Sequence, residues 1–146
     1  SANQRMVVFG GYYWVPGSAG SYFNDVWTLS LPVSGNPAWA QLTPAGTLPS
    51  GRLLHTAIYD SANARMIVLG GYGASPLRND AWALSLPASG TPTWTQLSAT
   101  GTLPRPRCNQ TAIYDSASKR MIVFGGASEM TYPNDVWALV AGSCLP

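Results

Sequence analysis

The clearest apolar pattern in the chain is an unbroken run that returns three times. It appears as "RMVVFGG" (5–11), "RMIVLGG" (65–71) and "RMIVFGG" (120–126), each opened by an arginine and closed by two glycines. Such a run suits a strand covered on both faces. "DAWALSL" (80–86) alternates instead, with Ala81, Ala83 and Ser85 to one side and Trp82, Leu84 and Leu86 to the other. Before the apolar run stands "HTAIYD" (55–60), small and β-branched residues ending in an Asp that suits a turn. After the "PASGTP" turn stands "TWTQL" (93–97). The pattern predicts four strands per unit: a (55–60), b (65–71), c (80–86) and d (93–97). No stretch has helical period, so the chain is expected to be all-β.

The unit repeats. Trp27, Trp82 and Trp137 lie at a constant interval, as do Asp25, Asp80 and Asp135. The same interval separates Trp39 from Trp94, Arg52 from Arg107, Asp60 from Asp115 and Arg65 from Arg120. The opening "SANQRMVVFGG" aligns with "SANARMIVLGG" (61–71), so the chain begins inside a unit, and it stops after a third strand c. The predicted layout is a partial blade 1–43 (b, c, d), a full blade 44–98 (a, b, c, d) and a partial blade 99–146 (a, b, c), ten strands in all. The link between strands b and c does not repeat. Twelve residues separate Gly11 from Asn24, against seven between Gly71 and Asn79 and seven between Gly126 and Asn134. The longer insert carries Tyr12, Tyr13, Trp14, Tyr22 and Phe23. A constant frame around a variable middle is how a scaffold presents a site.

These residues resemble kelch repeats, a propeller-blade family with a period near 50. The resemblance rests on the Gly-Gly that closes strand b, the Asn-Asp before strand c, and the Trp of strands c and d. It rests also on Arg-x-x-His/Gln before strand a, as Arg52-Leu53-Leu54-His55 and Arg107-Cys108-Asn109-Gln110. It covers essentially the whole chain. It implies four-stranded antiparallel β-propeller blades, and functions that range from protein binding to a few oxidases and isomerases. Closed propellers have about 4–8 blades. The roughly 2.5 blades here are therefore expected to be part of a longer protein or to close by association of copies, a dimer being favoured.

Composition adds little against this. Charged residues make up 10% and hydrophobic ones 46%, which suits a chain that buries much of itself. The net charge of +2, without a basic cluster, argues against a nucleic-acid partner, and no apolar run is long enough to span a bilayer. No signal peptide is visible, and the chain starts at Ser1 without a methionine. The Ala, Gly and Pro bias favours a bacterial, secreted or cell-surface origin. Cys108 and Cys144 have no redox or metal spacing, and their pairing stays open.

Ten of the fourteen charges recur with the repeat and are expected to be architectural. The Asp positions read as turn residues satisfying backbone N–H groups, and Arg5, Arg65 and Arg120 as partners of carboxylates or blade-edge carbonyls. The Trp and Met6, Met66 and Met121 series read as core. Arg52 and Arg107 are either structural or ligand contacts at the mouth of the central channel. His55, whose counterpart is Gln110, reads as a hydrogen-bonding residue, with a catalytic role as the alternative. Because successive strands alternate in direction, the b–c and d–a connections share one face. The candidate ligand-binding residues there are Tyr12, Tyr13, Trp14, Arg52, Arg78, Arg105, Arg107 and Tyr132. The aromatics would stack on a sugar ring or anchor a protein; alternatively the long loop folds over its own blade, the preferred reading for Tyr22 and Phe23.

No metal ligand cluster, nucleophile elbow or phosphate loop is readable, and no cofactor is expected. The expected function is a non-catalytic binding or scaffold module for a protein or glycan. A self-assembling structural protomer is one alternative. An enzyme using arginines and His55 at the channel mouth is the other.

Overall fold

The structure is a computed structural model that describes residues 4–74 and 76–140. Its described residues form eleven strands and no helix: β1 (Arg5–Tyr13), β2 (Ser21–Ser30), β3 (Ala38–Leu42), β4 (Ala45–Gly46), β5 (Thr56–Asp60), β6 (Arg65–Tyr72), β7 (Leu77–Ser85), β8 (Thr93–Leu97), β9 (Thr111–Asp115), β10 (Arg120–Phe124) and β11 (Val136–Val140). They make three separate sheets, ordered β1-β2-β3, β4-β8-β7-β6-β5 and β11-β10-β9. Each sheet is one blade of a partial kelch β-propeller, and the three do not close into a ring. Strands a to d of the middle blade are β5 to β8, where the hydrophobic pattern places them.

The strand beyond the expected ten is β4. Ala45 and Gly46 of the d–a linker run parallel to Thr93 and Trp94 and extend the middle blade outward. A two-residue strand in a Pro- and Gly-flanked linker has no periodicity to announce it. β7 also starts three residues earlier than strand c was expected to, because the hairpin continues past the glycines to Tyr72↔Leu77. The register shifts between Leu69 and Gly71, and again between Phe9 and Gly11. Gly70 and Gly71 take φ of 64° and 97°, the left-handed side that a residue with a Cβ resists. A Cβ on Gly70 would stand 2.8 Å from the Arg107 carbonyl oxygen, so the doublet also lets the next linker approach.

Blades stack through two apolar layers. Phe9 and Val26 of the first blade meet Met66, Val68, Trp82, Leu84 and Trp94 of the second. On the opposite side Ile58, Ile67, Leu69 and Ala81 meet Met121 and Val123, with Trp137 and Leu139 packed against them. The middle blade thus has both faces covered. The outer blades do not, and here the expected core placement fails for part of the series. Met6, Trp27 and Trp39 are 44%, 37% and 54% exposed, whereas their counterparts Met66, Trp82 and Trp94 are buried. These three lie on the flank of the first blade against which no described blade packs. Ile113, Phe124, Val136 and Val140 are exposed on the far flank of the third.

Candidate functional site

The b–c connections and the d–a linkers meet on one face, held by a stitch that repeats. Asn24 donates its side-chain amide to the Pro49 carbonyl at 3.3 Å, and Asn79 donates to the Pro104 carbonyl at 3.2 Å, each tying a blade to the next linker. Backbone bonds reinforce it: Gly11 N–H to the Arg52 carbonyl at 2.9 Å, and Gly71 N–H to the Arg107 carbonyl at 2.8 Å. The Leu53↔Tyr72 and Cys108↔Ala127 bridges join each linker to the b–c hairpin of its own blade.

Arg52 and Arg107 are struts of this frame, which resolves the alternative posed for them. The Arg52 guanidinium is wholly buried; it donates to both Asp80 carboxylate oxygens at 2.8 and 2.9 Å and to the Gly70 carbonyl at 3.0 Å. Arg107 does the same with Asp135 at 2.6 and 2.9 Å and with Gly125 at 2.9 Å. Both guanidinium groups are buried and bidentate on their carboxylates. The Asp series differs from expectation too. Asp60 and Asp115 accept turn N–H bonds, from Asn63 and Ser118. Asp25, Asp80 and Asp135 instead accept the indole N–H two residues on, from Trp27, Trp82 and Trp137 at 2.7, 2.7 and 2.6 Å. Burial works against the Asp80 carboxylate, but Arg52 and the Trp82 indole hold its pKa below the ordinary value. Arg107, then the Trp137 indole, hold Asp135 far lower.

Above the frame lies an aromatic ridge. Tyr12 faces Tyr22 across the hairpin, ring centroids 4.7 Å apart, and Tyr22 meets Tyr72 of the next blade edge-on at 6.0 Å. Partial burial, then the neighbouring Tyr72 and Tyr12 phenols, push the Tyr22 hydroxyl above its usual pKa. Tyr13 and Trp14 stand free at the tip, 59% and 55% exposed. Arg105 is exposed and Arg78 half-buried, while Tyr132 is exposed on the third b–c loop. Of the sequence candidates, Tyr12 joins the ridge, Tyr13 and Trp14 lie exposed at the tip of the same hairpin, Arg78 sits on β7 and Arg105 on the linker that follows β8, and Tyr132 lies in the third b–c connection. Tyr22 and Tyr72 complete the ridge and were not among the candidates. Tyr72 had a signal, since it follows Gly-Gly as Tyr12 does.

His55 sits below this surface, packed edge-on against Phe9 with centroids 5.4 Å apart. Burial, then the Arg52 charge, lower its pKa to about 4. Its counterpart Gln110 donates to the Leu69 carbonyl at 2.8 Å, a blade-to-blade tie. Cys108 is buried, with its thiol pKa raised by desolvation, and Cys144 lies outside the described residues. Among the described residues no cluster of three or more His, Cys, Asp or Glu is placed to hold a metal ion.

Comparisons with known proteins agree with this architecture. The family model "KLHDC2/KLHL20/DRC7 Kelch-repeats domain" matches residues 1–144. The chain is 36% identical over 110 residues to host cell factor 2 of Homo sapiens, covering 72% of this chain and 13% of that protein. It is 33% identical over 122 residues to dynein regulatory complex subunit 7 of Chlamydomonas reinhardtii, covering 83% of this chain and 10% of that protein. The chain thus spans only about a tenth of the curated relatives it matches. Repeat, blade geometry and family match lead to one assignment: the chain belongs to the kelch-repeat family.

Proposed function

We propose that the chain is a non-catalytic protein-binding module whose contact surface is the b–c and d–a loop face. Kelch-repeat domains generally mediate protein–protein interaction. The observation that carries the reading here is the ridge Tyr12-Tyr22-Tyr72, with Tyr13 and Trp14 exposed at the tip of the same hairpin. It crosses from one blade to the next, and it is anchored by the Asn24–Pro49 and Leu53↔Tyr72 stitches so that little ordering cost remains on binding. Trp14, Arg78, Arg105 and Tyr132 lie on b–c connections or d–a linkers of the three blades. Tyr, Trp and Arg are the residue types that carry most interface energy. A glycan stacked on the same rings is the second ligand class.

The test is selection of binders from a displayed peptide library, with a glycan array in parallel. Tyr13→Ala with Trp14→Ala is expected to lower affinity for selected peptides by tenfold or more, as loss of a 2 kcal/mol anchor pair would (~30-fold), with melting unchanged. Trp39→Ser, on the open flank, leaves binding alone. Selected peptides that ignore the Tyr13 and Trp14 changes, or glycans alone that respond to them, would overturn the reading.

The open flanks support a further proposal at the level of assembly. The exposed face with Met6, Val8, Trp27 and Trp39 is, by the repeat, the same face that Met66, Val68, Trp82 and Trp94 turn toward the first blade. The opposite flank, with Ile113 and Phe124, repeats the face that Ile58 and Leu69 turn toward the third. Further blades, or a second copy, would dock by contacts already made twice within the chain.

A further inference from the structure

Four arginines each hold an aspartate: Arg52, Arg65, Arg107 and Arg120, at 2.6–3.0 Å. Arg78 is half-buried as well, yet it has no ion pair among the described residues. Its Nε is enclosed and meets no hydrogen-bond acceptor there either. An enclosed guanidinium N–H left in this way is costly and calls for an acceptor from outside the fold. Asp80, two residues on along β7, is already engaged. Its Oδ1 accepts from Arg52, and its Oδ2 accepts from Arg52 and from the Trp82 indole.

The blade frame does not require a charge at this position. Counted from Asn24, Asn79 and Asn134, the counterparts of Arg78 are Phe23 and Pro133. The middle blade does make a place for the side chain. A Cβ on Gly73, at the end of the same hairpin, would stand 3.3 Å from Nη2 and 3.4 Å from Nε of Arg78, and 2.8 Å from the Gly51 carbonyl oxygen. Gly51 lies in turn against Tyr22, whose carbonyl leaves no room for a Cβ on it. The guanidinium thus sits at the seam between two blades, with Gly73 and Gly51 between it and the Tyr12-Tyr22-Tyr72 ridge. Its backbone is pinned. The Arg107 N–H donates to the Arg78 carbonyl at 2.9 Å, and the Asn79 amide holds Pro104 at 3.2 Å.

We propose that Arg78 is the specificity determinant of the loop face: it takes up the carboxylate of an internal Asp or Glu in a bound peptide whose apolar neighbour packs on the tyrosine ridge. The proposal rests on the loop face being the peptide-binding surface. A guanidinium fixed in this way favours a carboxylate over its neutral amide, because the charged pair is the stronger and the better oriented. Arg105 is exposed on the following linker, lacks that enclosure and has no part in the recognition.

The probes are peptides selected on the intact chain from a displayed library, then synthesised with both ends blocked and titrated by calorimetry. The selected set is expected to be enriched in Asp or Glu beside an aromatic or aliphatic residue. Replacing that acid by its amide is expected to weaken binding about tenfold, and so is Arg78→Gln in the protein. The two changes together are expected to cost no more than either alone, since both remove one interaction. Arg78→Lys should recover part of the loss, and Arg105→Gln should leave affinity unchanged. The peptide amide variants decide the matter even if Arg78→Gln does not fold. Peptides that depend on Tyr13 and Trp14 but carry no acid, or that ignore Arg78→Gln, overturn this proposal and leave the loop-face reading standing. So do peptides that bind only with a free C-terminus. A library that yields no binder, or binders that ignore Arg78, Tyr13 and Trp14 alike, overturns both.

Discussion

Arg52 shows what a residue's position in a repeat does and does not disclose. Its recurrence as Arg107 left architecture and ligand contact both open, and its destination was not legible. The carboxylate it grips lies 28 residues downstream, and only the fold of a whole blade brings the two within 2.8 Å. Arg52→Gln leaves Asp80 half-buried without its guanidinium and the Gly70 carbonyl without a donor. Urea unfolding is expected to show a loss of about 3 kcal/mol or more, whereas exposed Arg105→Gln stays within about 0.5 kcal/mol. His55 gives a pH signature at the same scale. An unfolded imidazole protonates near 6.5, but in the fold His55 does so only at about 4. Between those values the unfolded state binds more protons, so stability falls as pH drops from 6.5 toward 4 and stops falling through this group below that. His55→Gln is expected to flatten that limb in melting curves taken across pH. The limb below about 4 should remain, because it belongs to Asp60, Asp80, Asp115 and Asp135, whose lowered pKa values make their contribution vanish only as pH falls through the carboxylate range.

At the scale of elements, the hydrophobic pattern placed strands a to d well, because each buried face must follow the pleat. It missed β4 and the outward extensions of β1, β2, β6 and β7, which lie where backbone pairing continues without a buried face to mark it. The first b–c hairpin illustrates this. β1 and β2 pair as far as Tyr13↔Ser21, so the insert lengthens a ribbon that begins at the glycine bulge. The ridge it carries was half legible: Tyr12, Tyr13 and Trp14 stood out in the longer insert. Tyr72 follows Gly-Gly as Tyr12 does, but its part depends on a contact between blades. Since the turn lies beyond the last cross-strand pair, excising Val15–Ala19 closes the hairpin with Trp14 and Gly20. Melting is expected to stay within about 3 °C of the parent, a shift of at most about 1 kcal/mol for a chain of this size. A large drop would show that the loop braces the blade.

At the scale of the molecule, three wedges meet through two layers, and only the middle one is clothed on both sides among the described residues. Low charge and the count of units pointed to this incompleteness. Which tryptophans would lie bare depended on which face each blade turns outward, and that needed the structure. Hydrogen exchange followed by mass spectrometry tests the claim most directly, since protection follows burial and pairing. The slowest amides should lie in β6 and β7, with β1 and β11 exchanging much faster. Equal protection across all three blades would contradict the account.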